Sequence, residues 1–240
     1  ETMRREGYEF AVSKPEAITK LVDGKVFEPV ETLTIDTSEK YIGALNEMLS
    51  KRQARMIDMR KDERDNVRLV FQIPTKGLLG FRSAFLTATR GEGVMNTLFL
   101  GYEPWRGGLV STRNGVLVAS EAGFAITYGL NNAQARGQTF IEPGTQVYEG
   151  MIVGLNSRLQ DIPVNVCREK KKTNIRASVS DFSIHLTPPM KLSLEQALDF
   201  INKDELVEVT PEHIRLRKKT LSFTQRLRTI GTAKKEALSK

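Results

Sequence analysis

Apolar residues recur at two periods in the first half of this chain, and their alternation lays out its elements. Val67, Leu69, Phe71 and Ile73 alternate with less apolar neighbours, the period-two pattern of a strand with one buried face, and the run ends at Pro74. Tyr41, Ala44, Leu45, Met48 and Leu49 fall instead at helical spacing, behind Ser38, whose hydroxyl can cap the first turn. Leu78, Phe81, Phe85 and Ala88 make a second helical stripe over residues 78–90. Strands are expected at residues 31–36, 55–59 and 94–100. Residues 31–104 therefore read βαββαβ, the split βαβ order of ferredoxin-like domains. That order implies an antiparallel four-stranded sheet with both helices on one face.

The flanking segments read differently. Residues 1–6 look like the end of a helix, with Arg4 and Arg5 suited to the C-terminal dipole and Gly7 to a left-handed cap. Residues 8–12 read as a strand. Residues 18–22 and 25–30 flank Asp23-Gly24, a hairpin signal. Beyond the turn-rich YEPWRGG at 102–108 the pattern shortens. Strands are expected at 109–111, 116–119, 124–130, 145–155 and 162–166, with Arg113-Asn114-Gly115 and Pro143-Gly144 as turns and one helical turn at 131–136. Such short strands suggest a small β-rich barrel or sandwich. After Pro188-Pro189, Ser193 and Gln196 form a capping box for a helix with Leu194, Ala197, Leu198 and Ile201 on one face. Residues 206–209 and 214–216 close as a hairpin, and Arg215 and Arg217 share one face of its second strand. Residues 221–240 lack a core stripe and read as a partly disordered basic tail. The fold class is thus α+β, a ferredoxin-like part followed by a β-rich part with one main helix.

Charge singles out one stretch, VCREKKKTNIRA at 166–177, between the strand-like runs 162–166 and 178–186. Arg168, Lys170, Lys171, Lys172 and Arg176 oppose a single Glu169. Cations this close repel one another and bury poorly, so a solvated, mobile loop is expected. A basic loop held at both ends suits a polyanion, and Thr173, Asn174 and Ser178 suit sugar and phosphate oxygens. Net charge is +7, and residues 211–240 alone carry nine Lys or Arg against Glu212 and Glu236, so the rest of the chain balances to zero. Arg215, Arg217, Lys218 and Lys219 join the loop as candidate RNA-binding residues. Nucleic acid is the first partner class for such clusters and an anionic membrane surface the second.

Other chemistry finds little footing. Cys167 is the sole cysteine, which excludes an intrachain disulfide and fits a reducing cytoplasm. Arg168 and Lys170 would lower its thiol pKa, although an incidental cysteine at a strand end is the preferred reading. His185 and His213 are the only histidines and lie far apart, so no Cys/His metal cluster is expected. Lys76-Gly77-Leu78-Leu79-Gly80 before the second helix could hold a phosphate, yet it is no Walker A loop and reads better as a tight turn. There is no GxSxG, so a hydrolytic site built from Glu, Ser or His has no support.

At this point longer motifs carry a resemblance. TKGLLGFRSAFLTATRGEGVMNTLF, RNGVLVASEAGFAITYGL, VYEGMIVG, KKKTNIRAS and PPMKLSLEQALDFINKDELVEVTP together resemble the BipA (TypA) family of translational GTPases, relatives of elongation factor G and LepA. The resemblance runs from Arg4 to about Lys219. It implies that residues 1–30 end a third domain and its exit hairpin. It implies further that 31–104 are the domain shared with elongation factor G (domain V-like). Residues 105–240 would then be the family's own C-terminal domain, with basic loop 166–177 and basic tail 220–240. The GTPase domain and the barrel after it would be absent, so no cofactor or catalytic residue is expected in this chain, and GTP and magnesium belong to the missing domain. The family's implied partners are the ribosome, 23S rRNA and the acceptor end of A-site tRNA, with no membrane role and a monomeric, cytoplasmic protein. The loop is expected to reach toward the peptidyl-transferase centre, and the parent protein to act in large-subunit assembly, cold growth and stress response. Lys170, Lys171, Thr173, Asn174, Arg176 and Ser178 match the family loop, whereas Lys172 is not diagnostic. The alternative is a free-standing RNA-binding module. Such modules interleave aromatics with basic residues, and this loop has none.

Overall fold

The computed structural model describes residues 2–62, 65–109, 113–169 and 185–229. In chain order, α1 (Thr2–Arg5) and β1 (Phe10–Ser13) come first. The strands β2 (Lys20–Val22) and β3 (Lys25–Ser38) follow, then a 3-10 turn (Glu39–Tyr41), α2 (Ile42–Ser50), β4 (Arg55–Lys61) and β5 (Asn66–Pro74). Next are α3 (Thr75–Leu78), α4 (Phe81–Ala88), β6 (Val94–Pro104), β7 (Val116–Ala119), β8 (Gly123–Phe124) and α5 (Thr127–Gln134). The strands β9 (Gly137–Thr139), β10 (Gln146–Val147), β11 (Met151–Asn156) and β12 (Ile162–Val164) precede α6 (Leu194–Phe200), β13 (Glu205–Val209) and β14 (Ile214–Lys218). A last helix, α7, covers 223–229. The fold is α+β. It divides into one unit of residues 15–111 and another of residues 1–14 and 112–240.

In the 15–111 unit, β3 pairs antiparallel with β5 on one side and β6 on the other, and β4 pairs antiparallel with β5. The order β6-β3-β5-β4 is the ferredoxin-like order expected from βαββαβ. All four alternating residues of β5 are buried, and with Leu33 and Ile35 they meet Leu45 and Leu49 of α2 and Phe81 and Phe85 of α4 in one core. Three local readings change. The strands expected at 25–30 and 31–36 are one continuous strand, β3, because β6 pairs with it through a bulge at Val30/Glu31 and leaves no break. The single helix expected at 78–90 is two, α3 and α4, because Gly80 adopts φ +68, a left-handed step between them. Ser38 stands before the 3-10 turn without a side-chain cap bond, and Ala44 of the expected stripe is exposed.

In the other unit, seven strands form one sheet among the described residues, in the order β1-β13-β14-β11-β7-β12 with β9 also on β11. Among the described residues this is an open sheet with a helix on each face, not a barrel or a β-sandwich. Val116 and Val118 of β7 point to the α6 side with Ala197, Ile201 and Leu216, whereas Leu117 and Ala119 point to the α5 side with Leu130, Ala133 and Val153. A strand buried on both faces is apolar at every position, as VLVA is. The capping box of α6 is present in full, with Gln196 N–H donating to the Ser193 hydroxyl and Ser193 N–H to the Gln196 side chain.

The strand expected at 124–130 is instead β8 followed by the first half of α5. Residues 145–155 break into β10 and β11 at Gly150, which takes φ +89. Residue 109 lies outside any strand, and 110–112 lie outside the described residues. The first part of the tail is held against the rest: Phe223 N–H donates to Glu149 Oε1 at 2.8 Å and Arg226 donates to the Thr220 carbonyl at 2.9 Å. Residues 230–240 lie outside the described residues. No helix among those described is long and apolar enough to cross a membrane.

Candidate nucleic-acid interface

Of the sequence-predicted RNA-binding residues, Lys170, Lys171, Lys172, Thr173, Asn174, Arg176 and Ser178 lie outside the described residues, as does the mobility expected for Lys170–Asn174. What the structure does describe is how the two ends of that segment are held. On the leading side, Ser120 N–H donates to the Val164 carbonyl and Ile126 N–H to the Val166 carbonyl, each at 3.0 Å. The helix α5 presses directly on this turn. A Cβ placed on Gly129 would stand 2.2 Å from Val166 O and 2.8 Å from its Cα. On the trailing side, Gln134 at the end of the same helix makes a reciprocal pair with Thr187. Its Nε2 donates to the Thr187 carbonyl at 2.7 Å, and its Oε1 accepts from Thr187 N–H at 3.0 Å. Met190 N–H then donates to Thr139 O on β9. One helix thus holds the chain at Val166, where the basic segment begins, and again at Thr187, ten residues after that segment ends. Arg168, exposed, is the described cation at its leading edge.

Neither clamp residue is singled out by the sequence. An isolated glycine within an otherwise regular run is the available signal for close backbone approach at 129. Gln134 and Thr187 are 53 positions apart and give none. Replacing Gln134 with alanine is expected to cost about 1–2 kcal/mol, since it removes three modest hydrogen bonds at a half-buried site, the third to Thr139 Oγ1 at 3.1 Å. Hydrogen exchange at the Thr187 amide is the direct readout, and protection there should fall first.

The second candidate group is divided by the strand. Arg215 and Arg217 face the α5 side of the sheet, about 14 Å from the segment's leading end as three interstrand steps. Arg217 Nε lies 2.6 Å from Glu208 Oε1, and Glu208 also accepts from the Tyr148 hydroxyl at 2.6 Å. Burial first, and then that bond to Glu208, raise the Tyr148 phenol above its ordinary value. Lys218 is a correction. It points to the opposite face, is 2% exposed, and its ammonium contacts Asp161, Asp204 and Glu205 at 2.5, 2.7 and 2.8 Å. Strand alternation decides this: Arg215 and Arg217 face out, so Lys218 must face in. Lys219 is exposed.

Residues 114–223 match the family model described as the TypA/BipA C-terminal domain, and residues 25–113 match the elongation factor G C-terminus. The chain belongs to the TypA/BipA family. It is 50% identical, over 91% of its length, to a Synechocystis protein named large ribosomal subunit assembly factor BipA. It is 45% identical over its whole length to the Bacillus subtilis protein of that name, and 48% identical over 97% to the Haemophilus influenzae one. The chain spans 36–39% of the length of these relatives.

Within the BipA-type domain, the three carboxylates around Lys218 could by spacing hold a metal ion. The lysine ammonium already occupies their centre, so the cluster is an internal ion pair. Glu205, fully buried, also accepts from Arg113 Nη2 with both carboxylate oxygens, at 2.8 and 3.0 Å, and Arg113 stacks 4.3 Å over Phe200. Cys167 agrees with the preferred reading of an incidental cysteine: burial and then Glu121 raise its thiol pKa.

In the elongation factor G-type domain, the KGLLG turn is not a phosphate loop. The Lys76 ammonium bridges the buried Glu28 at 2.6 Å and lies 3.8 Å over the Trp105 ring. The carbonyls of Gly77 and Leu79 accept from Arg52 Nη1, at 2.8 and 2.9 Å. The lysine and the carbonyls of the turn are therefore already partnered within the protein.

Proposed function

We propose that this chain is the large-subunit-docking part of a BipA-type translational GTPase, and that segment 166–177 is its principal contact with RNA. The observation that carries the reading is the clamp: one helix holds the chain at Val166 and at Thr187, on either side of the most cationic stretch of a chain whose full-length relatives are named large ribosomal subunit assembly factors. A loop tied at both ends loses less freedom on binding than a free tail, so its charges act at lower entropic cost. In this reading residues 31–104 correspond to the domain shared with elongation factor G and 105–240 to the family-specific domain. GTP, magnesium and hydrolysis belong to a portion of the protein outside this chain, in the cytoplasm. Arg168, Lys170, Lys171, Lys172 and Arg176 contact phosphates, with Arg215, Arg217 and Lys219 as a lesser group. Thr173, Asn174 and Ser178 contact sugar or backbone oxygens of 23S rRNA and the acceptor end of A-site tRNA. Contacts of this kind position a protein without reading sequence.

The test is binding of the full-length protein to purified large subunits over a salt series. Alanine at Lys170, Lys171 and Lys172 together should flatten the log–log salt slope by roughly three units, about one for each phosphate that is no longer neutralised. Unchanged affinity and slope would make the segment a solvated surface run.

A further inference from the structure

We infer that Arg136 and Arg158, with the exposed side of α5, form a second contact for RNA phosphates adjoining the trailing clamp of the basic segment. This rests on the reading of the chain as a large-subunit RNA binder. Both arginines are exposed, and among the described residues neither side chain makes an ion pair or hydrogen bond. They stand together because Ser157 N–H donates to the Arg136 carbonyl at 2.9 Å. Arg136 follows the clamp residue Gln134 by two positions.

The turn that carries Arg158 is rigid. Gly115 N–H donates to the Arg158 carbonyl at 2.9 Å, and the Asn156 side chain donates to Gln160 O at 2.5 Å. The backbones are so close that a Cβ on Gly137 would lie 1.9 Å from Leu155 O. Leu159, at the tip of this turn, is 78% exposed although apolar. Two guanidinium groups without a protein partner, carried on backbone segments hydrogen-bonded to each other, fit a polyanion surface.

The neighbouring helix supports the same partner. TYGLNNAQ of α5 has no carboxylate, and its exposed positions include Thr127, Asn131 and Asn132, side chains that donate to phosphate and sugar oxygens. Nearby carboxylates are already engaged: Asp161 by Lys218 and by Val116 N–H, and Glu142 by Lys191 at 2.9 Å. Exposed Glu121 lies at the other, leading end, beside Cys167. Positive potential is therefore not cancelled where the helix ends. An RNA strand reaching the basic segment would pass along α5 onto this pair.

The experiment compares the double variant Arg136→Ala/Arg158→Ala with the triple lysine variant and wild type, all full length, on purified large subunits. The double variant should keep the wild-type melting temperature, because neither side chain holds anything in place. Its loss of affinity between about 50 and about 200 mM salt should be roughly tenfold smaller than that of wild type, the effect of removing two phosphate contacts. Arg136→Lys/Arg158→Lys should restore the slope. If the triple variant flattens the slope and the double one does not, this second contact is wrong and the first reading stands. If neither changes it, both are wrong. A large affinity loss with an unchanged slope would overturn the phosphate assignment.

Discussion

Replacing Glu205 with alanine is expected to destabilise the 112–240 part of the chain by about 3–5 kcal/mol, the range for breaking a buried ion pair from one side. Glu205 is fully buried and accepts from three donor groups: Arg113 Nη2, which reaches both of its oxygens, the Lys218 ammonium, and the Asn202 N–H at 2.8 Å. Lys218 would keep Asp161 and Asp204, but Arg113, 14% exposed, would have no carboxylate left. Glu205→Gln keeps the shape and part of the hydrogen bonding and should fall between. The pH dependence follows from Lys218. Burial alone would lower its pKa, but Glu205 and the bonds to Asp161, Asp204 and Glu205 outweigh burial and raise it. A raised lysine contributes stability in full below its unfolded value of about 10.4 and loses it as pH climbs through the folded value. The gap between wild type and variant in urea unfolding should thus stay level across neutral pH and narrow only in strong alkali. A gap that closes between pH 6 and 8, or one below about 1 kcal/mol, would mean the cluster is solvated rather than buried.

Gly129→Ala should destabilise as well, with a sign opposite to the helix rule. In an ordinary helix interior alanine is better than glycine by about 1 kcal/mol. Here the new methyl would meet backbone atoms of Val166 at 2.2, 2.5 and 2.8 Å, distances no rotamer can relieve. Either α5 or the turn at 166–167 must move, at about 1–3 kcal/mol for overpacking. The Ile126 to Val166 hydrogen bond stands in the same place and should weaken with it. Because this turn launches the basic segment, large-subunit affinity should drop more than global stability accounts for. Thermal unfolding and subunit binding measured on the same variant separate the two effects. A more stable protein would show that the approach of helix and turn is looser than described.

The sequence by itself determined the elements whose partners are periodic neighbours. Alternation in β5 placed all four of its apolar residues in the core, and VLVA at 116–119 was legible as a strand. The capping box at Ser193 and Gln196 was legible because both halves lie within three residues. The concentration of cations at 166–177 and the family membership were equally visible, since charge and long motifs do not depend on the fold. Tertiary structure alone decided the rest. Residues 127–130 carry aromatic and β-branched neighbours that suit a strand, and they are helical because a helix there covers Leu117, Val153 and Val164, a gain that exceeds a propensity difference of tenths of a kcal/mol per residue. Lys218 shows the same limit for charge. In sequence it extends a basic run, but in the sheet it is one step of an alternation whose inward side holds Glu205. The clamps at Gly129 and Gln134, and the meeting of Arg136 with Arg158, join residues 22 to 53 positions apart. Only the packing of α5 against the sheet brings them together, because contact at that separation is set by the summed burial of a whole helix face and not by any local pattern.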